Sequence, residues 1–148
     1  MKNELYKHLK FKIGEETYKN EFRLITLGRY CCKKYCYDVS EFRKDSDEKL
    51  FDLVVEKIIL YYNADILTKI EYYFNSNLYT RLLIIIKQFL GNPYQEMANE
   101  SMICNYWYFG KYYLLLEKKE RDKTMILSYQ KRKDLQNILN TDIITFGI

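Results

Sequence analysis

The stretch Leu78-Tyr79-Thr80-Arg81-Leu82-Leu83-Ile84-Ile85-Ile86-Lys87-Gln88-Phe89-Leu90 contains five consecutive apolar residues, from Leu82 to Ile86. At about 100° per residue, a helix would point these side chains in every direction and leave no face for water. A buried strand is the alternative, because isoleucine is β-branched and a short apolar run fits either structure. The length of the stretch and the stop signal Gly91-Asn92-Pro93 favour a helix. The sequence therefore predicts a buried helix at the centre of the fold.

Helical periodicity is found on both sides of this stretch, and no segment alternates cleanly over the length of a strand. Asp45 with Glu48 resembles a capping box, and Asn92 followed by Pro93 is a typical helix start. The sequence predicts an all-α, single-domain chain over residues 1–148, with six or seven short helices around the central hydrophobic helix. Besides the central one, the predicted helices cover 2–12, 21–37, 48–62, about 63–74, about 92–119 and 125–139.

Composition limits the classes of function. The net charge of +4 arises from 24 basic and 20 acidic residues that are interleaved, which is typical of a solvated surface. The four cysteines, Cys31, Cys32, Cys36 and Cys104, lack the spaced pairs of a zinc site, so we expect reduced, mostly buried thiols and no disulfide. The 16 tyrosines are explained by the codon usage of an AT-rich genome and are given no structural weight.

A family resemblance starts at the central helix. Asn77 to Ile86 resembles the first homology motif of the Bcl-2 family, N-W-G-R followed by apolar residues, and Arg81 takes the place of the motif arginine. One extra residue follows Asn77, and Thr80 replaces the glycine. Leu24 to Arg29 is similar to the third homology segment, L-x-x-x-G-D, with arginine in place of aspartate. The chain most resembles the poxviral apoptosis inhibitors of the myxoma type.

This resemblance implies a Bcl-2-like bundle whose helices two to five form a hydrophobic groove. The implied function is a viral inhibitor of apoptosis, which binds the BH-3 helix of pro-apoptotic Bcl-2 proteins and blocks mitochondrial permeabilisation. Arg81 is expected to meet the acidic residue of the partner helix. The other residues expected to line the groove are Tyr30, Leu50, Phe51, Val54, Ile58, Ile70, Tyr73, Tyr79, Leu82 and Ile85.

The resemblance also implies a location, the host cell cytoplasm and the mitochondrial outer membrane. The apolar ending Ile143 to Ile148 is interpreted as the first part of a carboxyl-terminal membrane anchor. No enzyme is expected, because the chain has a single histidine, His8, and lacks paired carboxylates, a phosphate loop and a nucleophile motif. Accordingly, no catalytic residue, cofactor or metal is predicted.

Three alternatives stay open. Tyr108 to Glu117 imitates the first homology motif and retains its glycine, but its late position favours an aromatic packing face on the sixth helix. Basic clusters at Lys118 to Lys123 and Lys131 to Lys133 would suit a small helical nucleic-acid-binding protein, although acidic residues interrupt the first. Finally, a Bcl-2-like fold could bind a host signalling adaptor instead of a death-pathway protein.

Overall fold

A computed structural model describes residues 2–32 and 35–131 of the chain. Within them, the main feature is an antiparallel sheet of eight strands, accompanied by two α-helices and three short 3-10 turns. The all-α prediction is therefore wrong. The elements are α1 Lys2–His8, β1 Leu24–Cys32, β2 Tyr35–Phe42, β3 Lys49–Leu50, β4 Leu53–Val54, β5 Lys57–Asn63, β6 Ile66–Asn75, α2 Tyr79–Leu90, β7 Gln95–Ala98, β8 Met102–Phe109, β9 Tyr112–Lys119 and β10 Thr124–Lys131, with 3-10 turns at Thr17–Lys19, Glu21–Arg23 and Ser76–Leu78.

The strand order of the sheet is β1-β2-β5-β6-β10-β9-β8-β7, while β3 and β4 form a separate small hairpin. Each half of the chain consists of one helix followed by four strands of this sheet. The last strands of the two halves, β6 and β10, pair antiparallel at the centre, from Thr124 opposite Asn75 to Gln130 opposite Lys69. The same order of one helix and four sheet strands therefore occurs twice, although the sequence shows no internal repeat.

Both helices pack on one face of the sheet, which we call the helix face. Leu5 and Leu9 of α1 and Leu82 and Ile86 of α2 are almost completely buried there. Because side chains alternate between the faces of a strand, every second sheet residue joins this core. The sheet residues of the main core are Phe42, Ile58, Leu60, Tyr62, Leu67, Ile70, Tyr72, Phe74, Trp107, Leu114, Leu116, Met125, Leu127 and Tyr129.

The central helix of the sequence prediction is confirmed as α2, which ends at Gly91, where φ is +79°. The prediction that it leaves no face to water is wrong, because the Ile84 side chain is 52% exposed. Two polar contacts fix its ends on the sheet. Asn105 Nδ2 donates a hydrogen bond to the Tyr79 hydroxyl at 2.6 Å, and Trp107 Nε1 donates to the carbonyl oxygen of Gly91 at 3.1 Å.

The first predicted helix exists but is shorter than expected. It ends at His8 rather than at residue 12. The Lys12 ammonium folds back and donates hydrogen bonds to the carbonyl oxygens of Tyr6 and Leu9, which satisfies acceptors that a helix end leaves free. Burial lowers the pKa of Lys12, although Glu15 nearby partly opposes this shift. The amphipathic pattern of Leu5 and Leu9 was therefore a correct signal for the core.

Of the remaining predicted helices, those that fall on described residues are replaced by strands. In β5 the five residues Ile58 to Tyr62 are all buried, because both faces of this inner strand are covered. Such a strand loses the alternation of polar and apolar residues, and its continuous apolar run also matches a helical period. The supposed helix starts at Asp45 and Asn92 precede short strands instead. The apparent helix-six motif, Tyr108 to Glu117, is the hairpin of β8 and β9.

Predictions for the carboxyl terminus lie mostly outside the described residues. Met125 to Lys131 belongs to β10 rather than to the predicted last helix. The rest of that helix and the anchor Ile143 to Ile148 are not among the described residues. In the described part of the chain, neither helix is long and apolar enough to cross a membrane.

The prediction that the cysteines form no disulfide is wrong. Cys31 and Cys36 are bonded to each other across the β1–β2 hairpin, with their Cα atoms 4.0 Å apart. Cys104 is a buried free thiol, and its burial raises the pKa to about 11. Neutral and buried, this thiol acts as a small apolar residue.

Tight turns connect two of the hairpins without glycine. Ala64 and Asp65 join β5 to β6 with φ of +48° and +66°, and Phe51 and Asp52 join β3 to β4 with +55° and +62°. Two consecutive left-handed residues are typical of a type I′ turn, which suits the twist of antiparallel strands. A side chain in this conformation costs about 1–2 kcal/mol. These turns are therefore strained locally, and the pairing of the strands on either side holds them in this conformation.

We expect the substitution Ala64→Gly to stabilise the protein. It relieves the left-handed strain, while the greater freedom of glycine in the unfolded chain cancels part of the gain, so the free energy of unfolding should rise by about 0.5–1 kcal/mol. Urea denaturation measures the change. The matched control is Ala98→Gly in the extended strand β7, which should lower stability or leave it unchanged. A loss of stability in Ala64→Gly would contradict the turn assignment.

Candidate functional site

The sheet face opposite the helices carries many tyrosines, and we call it the tyrosine face. Near β1, a buried cluster is formed by Tyr30, Tyr37, Val39, Ile59 and Tyr61, with Tyr73 packed against it. A second cluster toward the other edge contains Cys104, Tyr113 and Leu115. Burial strongly raises the pKa of Tyr113, so its hydroxyl stays neutral.

A buried ion pair occupies the centre of the tyrosine face. The Lys69 ammonium lies 3.3 Å from Glu71 Oε2, and the two side chains are only 3% and 8% exposed. The other carboxylate oxygen, Oε1, accepts hydrogen bonds from the hydroxyls of Tyr61 at 3.0 Å and Tyr73 at 3.3 Å. The Lys69 ammonium also lies 5.0 Å from the centre of the Tyr61 ring. Both charges are thus compensated, as burial requires.

A pocket of about 320 Å³ lies beside this ion pair. Its floor includes Glu71 and Tyr61, and the Lys57 ammonium at its side lies 4.5 Å from the centre of the Tyr73 ring. Four consecutive residues of β1 form its outer wall, so the pocket reaches the edge of the sheet. The full lining is Leu27, Gly28, Arg29, Tyr30, Val39, Lys57, Ile59, Tyr61, Glu71 and Tyr73.

The outer wall is irregular. A bulge shifts the pairing of β1 with β2 between Thr26 and Gly28, so Leu27 is the extra residue. Gly28 stands opposite Val39, on the tyrosine face, and a Cβ atom at Gly28 would meet no other atom within 4 Å. The missing side chain therefore leaves a gap in the wall between the pocket and the sheet edge.

Among residues 2–32 and 35–131, β1 is an edge strand of the sheet, and no strand there pairs with its outer side. The Arg43 N–H donates a hydrogen bond to the carbonyl oxygen of Arg23 at 2.7 Å. Bonded and non-bonded pairs alternate along an antiparallel ladder, so Thr26, three residues after Arg23, has its backbone N–H and C=O groups pointing away from β2. Beyond the bulge, the short Cα distance between Cys31 and Cys36 shows that these two residues are not hydrogen-bonded to each other in the ladder. The backbone N–H and C=O groups of Cys31 therefore point away from β2, and so do those of Arg29, two residues earlier in the strand.

The two edges of the sheet differ in length, although both carry exposed apolar side chains, and Met97 of β7 is 47% exposed. β1 is nine residues long, and the exposed fractions near it are 84% for Phe22, 45% for Ile25 and 54% for Leu27. β7, at the other edge, has only four residues, and its Glu96 lies 3.9 Å from the Lys87 ammonium. Short or charged edges resist further pairing, whereas long apolar edges invite it. β1 is therefore the edge suited to a partner.

The groove residues predicted from the sequence do not come together as one surface. Tyr30 and Tyr73 line the pocket. Arg81 is exposed on α2, on the other side of the sheet, and Val54 is 43% exposed on the small hairpin. The remaining ones are buried in, or packed against, the main core: Leu50, Phe51, Ile58, Ile70, Tyr79, Leu82 and Ile85.

Other parts of the site were missed by sequence reasoning. Lys69 and Glu71 fall within the predicted helix of about 63–74, although their spacing of two residues also places them on one face of a strand. Gly28 falls in the middle of the predicted helix 21–37. Isolated glycine in a strand typically marks a bulge or close approach, which was the available signal. Among the described residues, no group of three His, Cys, Asp or Glu side chains could hold a metal ion.

Comparisons with protein-family models, with curated protein sequences and with solved structures gave no significant match. The resemblance to the Bcl-2 family therefore rests on the quoted motifs alone. The structure places those motifs in β1 and at the start of α2 rather than along one helical groove.

The Lys69–Glu71 pair is expected to be strongly coupled. Lys69→Met leaves a buried carboxylate without its countercharge, which should lower the free energy of unfolding by about 3–5 kcal/mol. Adding Glu71→Gln removes the uncompensated charge, so the double variant should regain about half of the loss. Denaturation of the four proteins in the cycle measures the coupling. Additive losses from the two substitutions would contradict a direct ion pair.

Gln130 provides a second test of this face. Its side chain is 0% exposed, next to Lys69 in the ladder, and its Nε2 and Oε1 atoms have no hydrogen-bond partner among the described residues. Gln130→Met should therefore raise the free energy of unfolding by about 1–3 kcal/mol, the cost of an unsatisfied buried polar group. Gln95→Met at an exposed position of β7 is the control and should change stability by less than about 0.5 kcal/mol. A destabilised Gln130→Met would show that the amide is bonded in solution.

Proposed function

We propose that the chain is a protein-interaction module that binds an extended segment of a partner protein as an additional strand beside β1. The observation that carries this proposal is the shared wall: Leu27 to Arg29 belong both to the edge strand of the described sheet and to one side of the pocket. Strand addition uses these two features together. Backbone hydrogen bonds along the edge provide affinity, and a pocket for alternate side chains provides specificity.

The dimensions favour an extended segment over a helix. A helix needs a long groove for three or four side chains, whereas the pocket holds about 320 Å³, the lower end of the range for small-ligand sites. That volume is suited to one or two side chains. The outward backbone groups of Thr26, Arg29 and Cys31 would remain unused by a helical ligand, but an added strand would bond to them.

Binding of BH-3 helices, with its implied mitochondrial location, stays a prediction. The structure offers no support for it, because Arg81 and the residues that line the pocket lie on different sides of the sheet. Nucleic-acid binding also stays a prediction. Lys118 to Lys123 surrounds the β9–β10 turn and does not line the pocket, and Lys131 to Lys133 lies mostly outside the described residues. The absence of enzymatic activity stays a prediction as well.

The test is selection of random linear peptides, displayed on phage, against the folded protein. We expect peptides that bind the unmodified protein but not Thr26→Pro, in which an outward N–H is lost while the β1–β2 ladder keeps its hydrogen bonds. The matched control is Ala98→Pro on the other edge. The Asn99 N–H donates to Met102, so the N–H of Ala98 also points outward, and this variant should keep binding. Circular dichroism establishes that both variants are folded.

A second measurement leaves the protein unchanged. Methylation of single backbone nitrogens in a selected peptide should abolish binding at every second residue and be tolerated between them, because only alternate N–H groups of a strand bond to one neighbour. Hydrogen exchange should show new protection at the amides of Thr26, Arg29 and Cys31. Selected peptides that are insensitive to Thr26→Pro, or that show no alternation on methylation, would overturn the proposal.

A further inference from the structure

We infer that the segment bound at β1 carries an aromatic residue directly next to an acidic residue, with the aromatic side chain over Gly28 and the carboxylate opposite Arg29. The inference rests on the proposed strand addition. It follows from the register of the edge, from the gap at Gly28 and from the charges around the pocket.

The partner residue opposite Gly28 is the one whose side chain can enter the pocket. In an added strand, the residue opposite Gly28 has its side chain on the same face as Gly28, which is the tyrosine face. Arg29, the next residue, would form the backbone hydrogen bonds to the added strand, so Gly28 and the partner residue opposite it are not hydrogen-bonded to each other. Residues paired in this way have the shorter distance between their Cα atoms. Because Gly28 has no side chain, nothing stops the partner side chain from lying across β1 into the pocket.

The distance to the far wall selects a long side chain. Gly28, Val39 and Tyr61 form one row across β1, β2 and β5. Strands are about 4.8 Å apart, so Val39 lies two strand spacings, about 10 Å, from the residue opposite Gly28. A short side chain would cover only the glycine. An aromatic ring covers it and contacts Val39, as aromatic residues opposite glycine do in other sheets.

The charges around the pocket exclude a long cationic side chain. Glu71 is already paired with Lys69 and accepts two tyrosine hydroxyl bonds. Lys57 lines the same pocket, with its ammonium over the Tyr73 ring. An arginine or lysine from the partner would add a cation beside Lys57, while Glu71, the carboxylate of the pocket lining, is already paired. A neutral aromatic ring has no such cost.

The acidic neighbour follows from Arg29. The residue of the partner that bonds to the outward backbone groups of Arg29 adjoins the aromatic residue in sequence, and its side chain lies on the same side as that of Arg29. The Arg29 Nε donates to Asp38 Oδ1 at 3.2 Å, and the arginine side chain is 67% exposed. Its terminal N–H groups can therefore bind a second carboxylate, and opposite charges across a strand pair stabilise pairing.

The experiment uses a peptide selected on the full chain and titrated in a calorimeter. Replacing its aromatic residue with alanine should weaken binding by about fivefold or more, and replacing its acidic residue with lysine by about two- to fivefold. In Arg29→Glu the order should reverse, so that the lysine peptide binds more tightly than the original. Lys111→Glu, an exposed charge reversal on the distant β8–β9 turn, is the control and should leave the order unchanged.

A second pair of variants tests the pocket contact. Val39→Ala should weaken the aromatic peptide more than its alanine version, because the two changes remove one shared contact. Val55→Ala is a matched truncation in the main core and should affect both peptides equally. If peptides show the alternation expected for strand addition but lack an acidic–aromatic pair, or keep their order in Arg29→Glu, this inference fails and the proposed function stands. If no bound peptide depends on the β1 edge, the proposed function fails.

Discussion

The pairing of β6 with β10 is the interaction on which the rest of the structure depends. It joins two helix-plus-four-strand halves into one sheet, from Thr124 opposite Asn75 to Gln130 opposite Lys69. Its residues are far apart in sequence, so forming it carries a substantial loop-closure cost. Burial on both sides offsets that cost: Tyr72 and Leu127 face the helices, while Glu71 and Ser128 occupy the tyrosine face. The Lys69–Glu71 ion pair therefore lies on β6, at the junction of the two halves.

Only the two helices could be predicted from the sequence. α2 was recognised from its length and its glycine stop, and α1 from Leu5 and Leu9. The strands were missed because both faces of β5 and β6 are covered, which removes the alternation that identifies a half-buried strand. The abundance of tyrosine was attributed to codon usage, although tyrosine is typical of strands and was the remaining signal.

The candidate site was harder to predict than the fold, since it combines strands that are distant along the chain. Tyr30 and Tyr73 appeared among the predicted groove residues, but for a helical register that does not exist. Their proximity results from the order β1-β2-β5-β6, which no local pattern reveals. Lys69 and Glu71 looked like surface residues because charged side chains are rarely buried. Only the structure shows that the tyrosine hydroxyls and the countercharge make their burial tolerable.

The bulge at Leu27 links the protection of the sheet edge to its proposed use. A regular nine-residue apolar edge would pair with any exposed strand, including another copy of the chain. The bulge interrupts that regularity and divides β1 into two short segments, which weakens non-specific pairing. The same irregularity precedes Gly28 at the open wall of the pocket. A partner segment that fills the pocket gains side-chain contacts, which compensate for the hydrogen bonds that the bulge interrupts. An arbitrary strand gains no such contacts, so the bulge at Leu27 makes the edge selective.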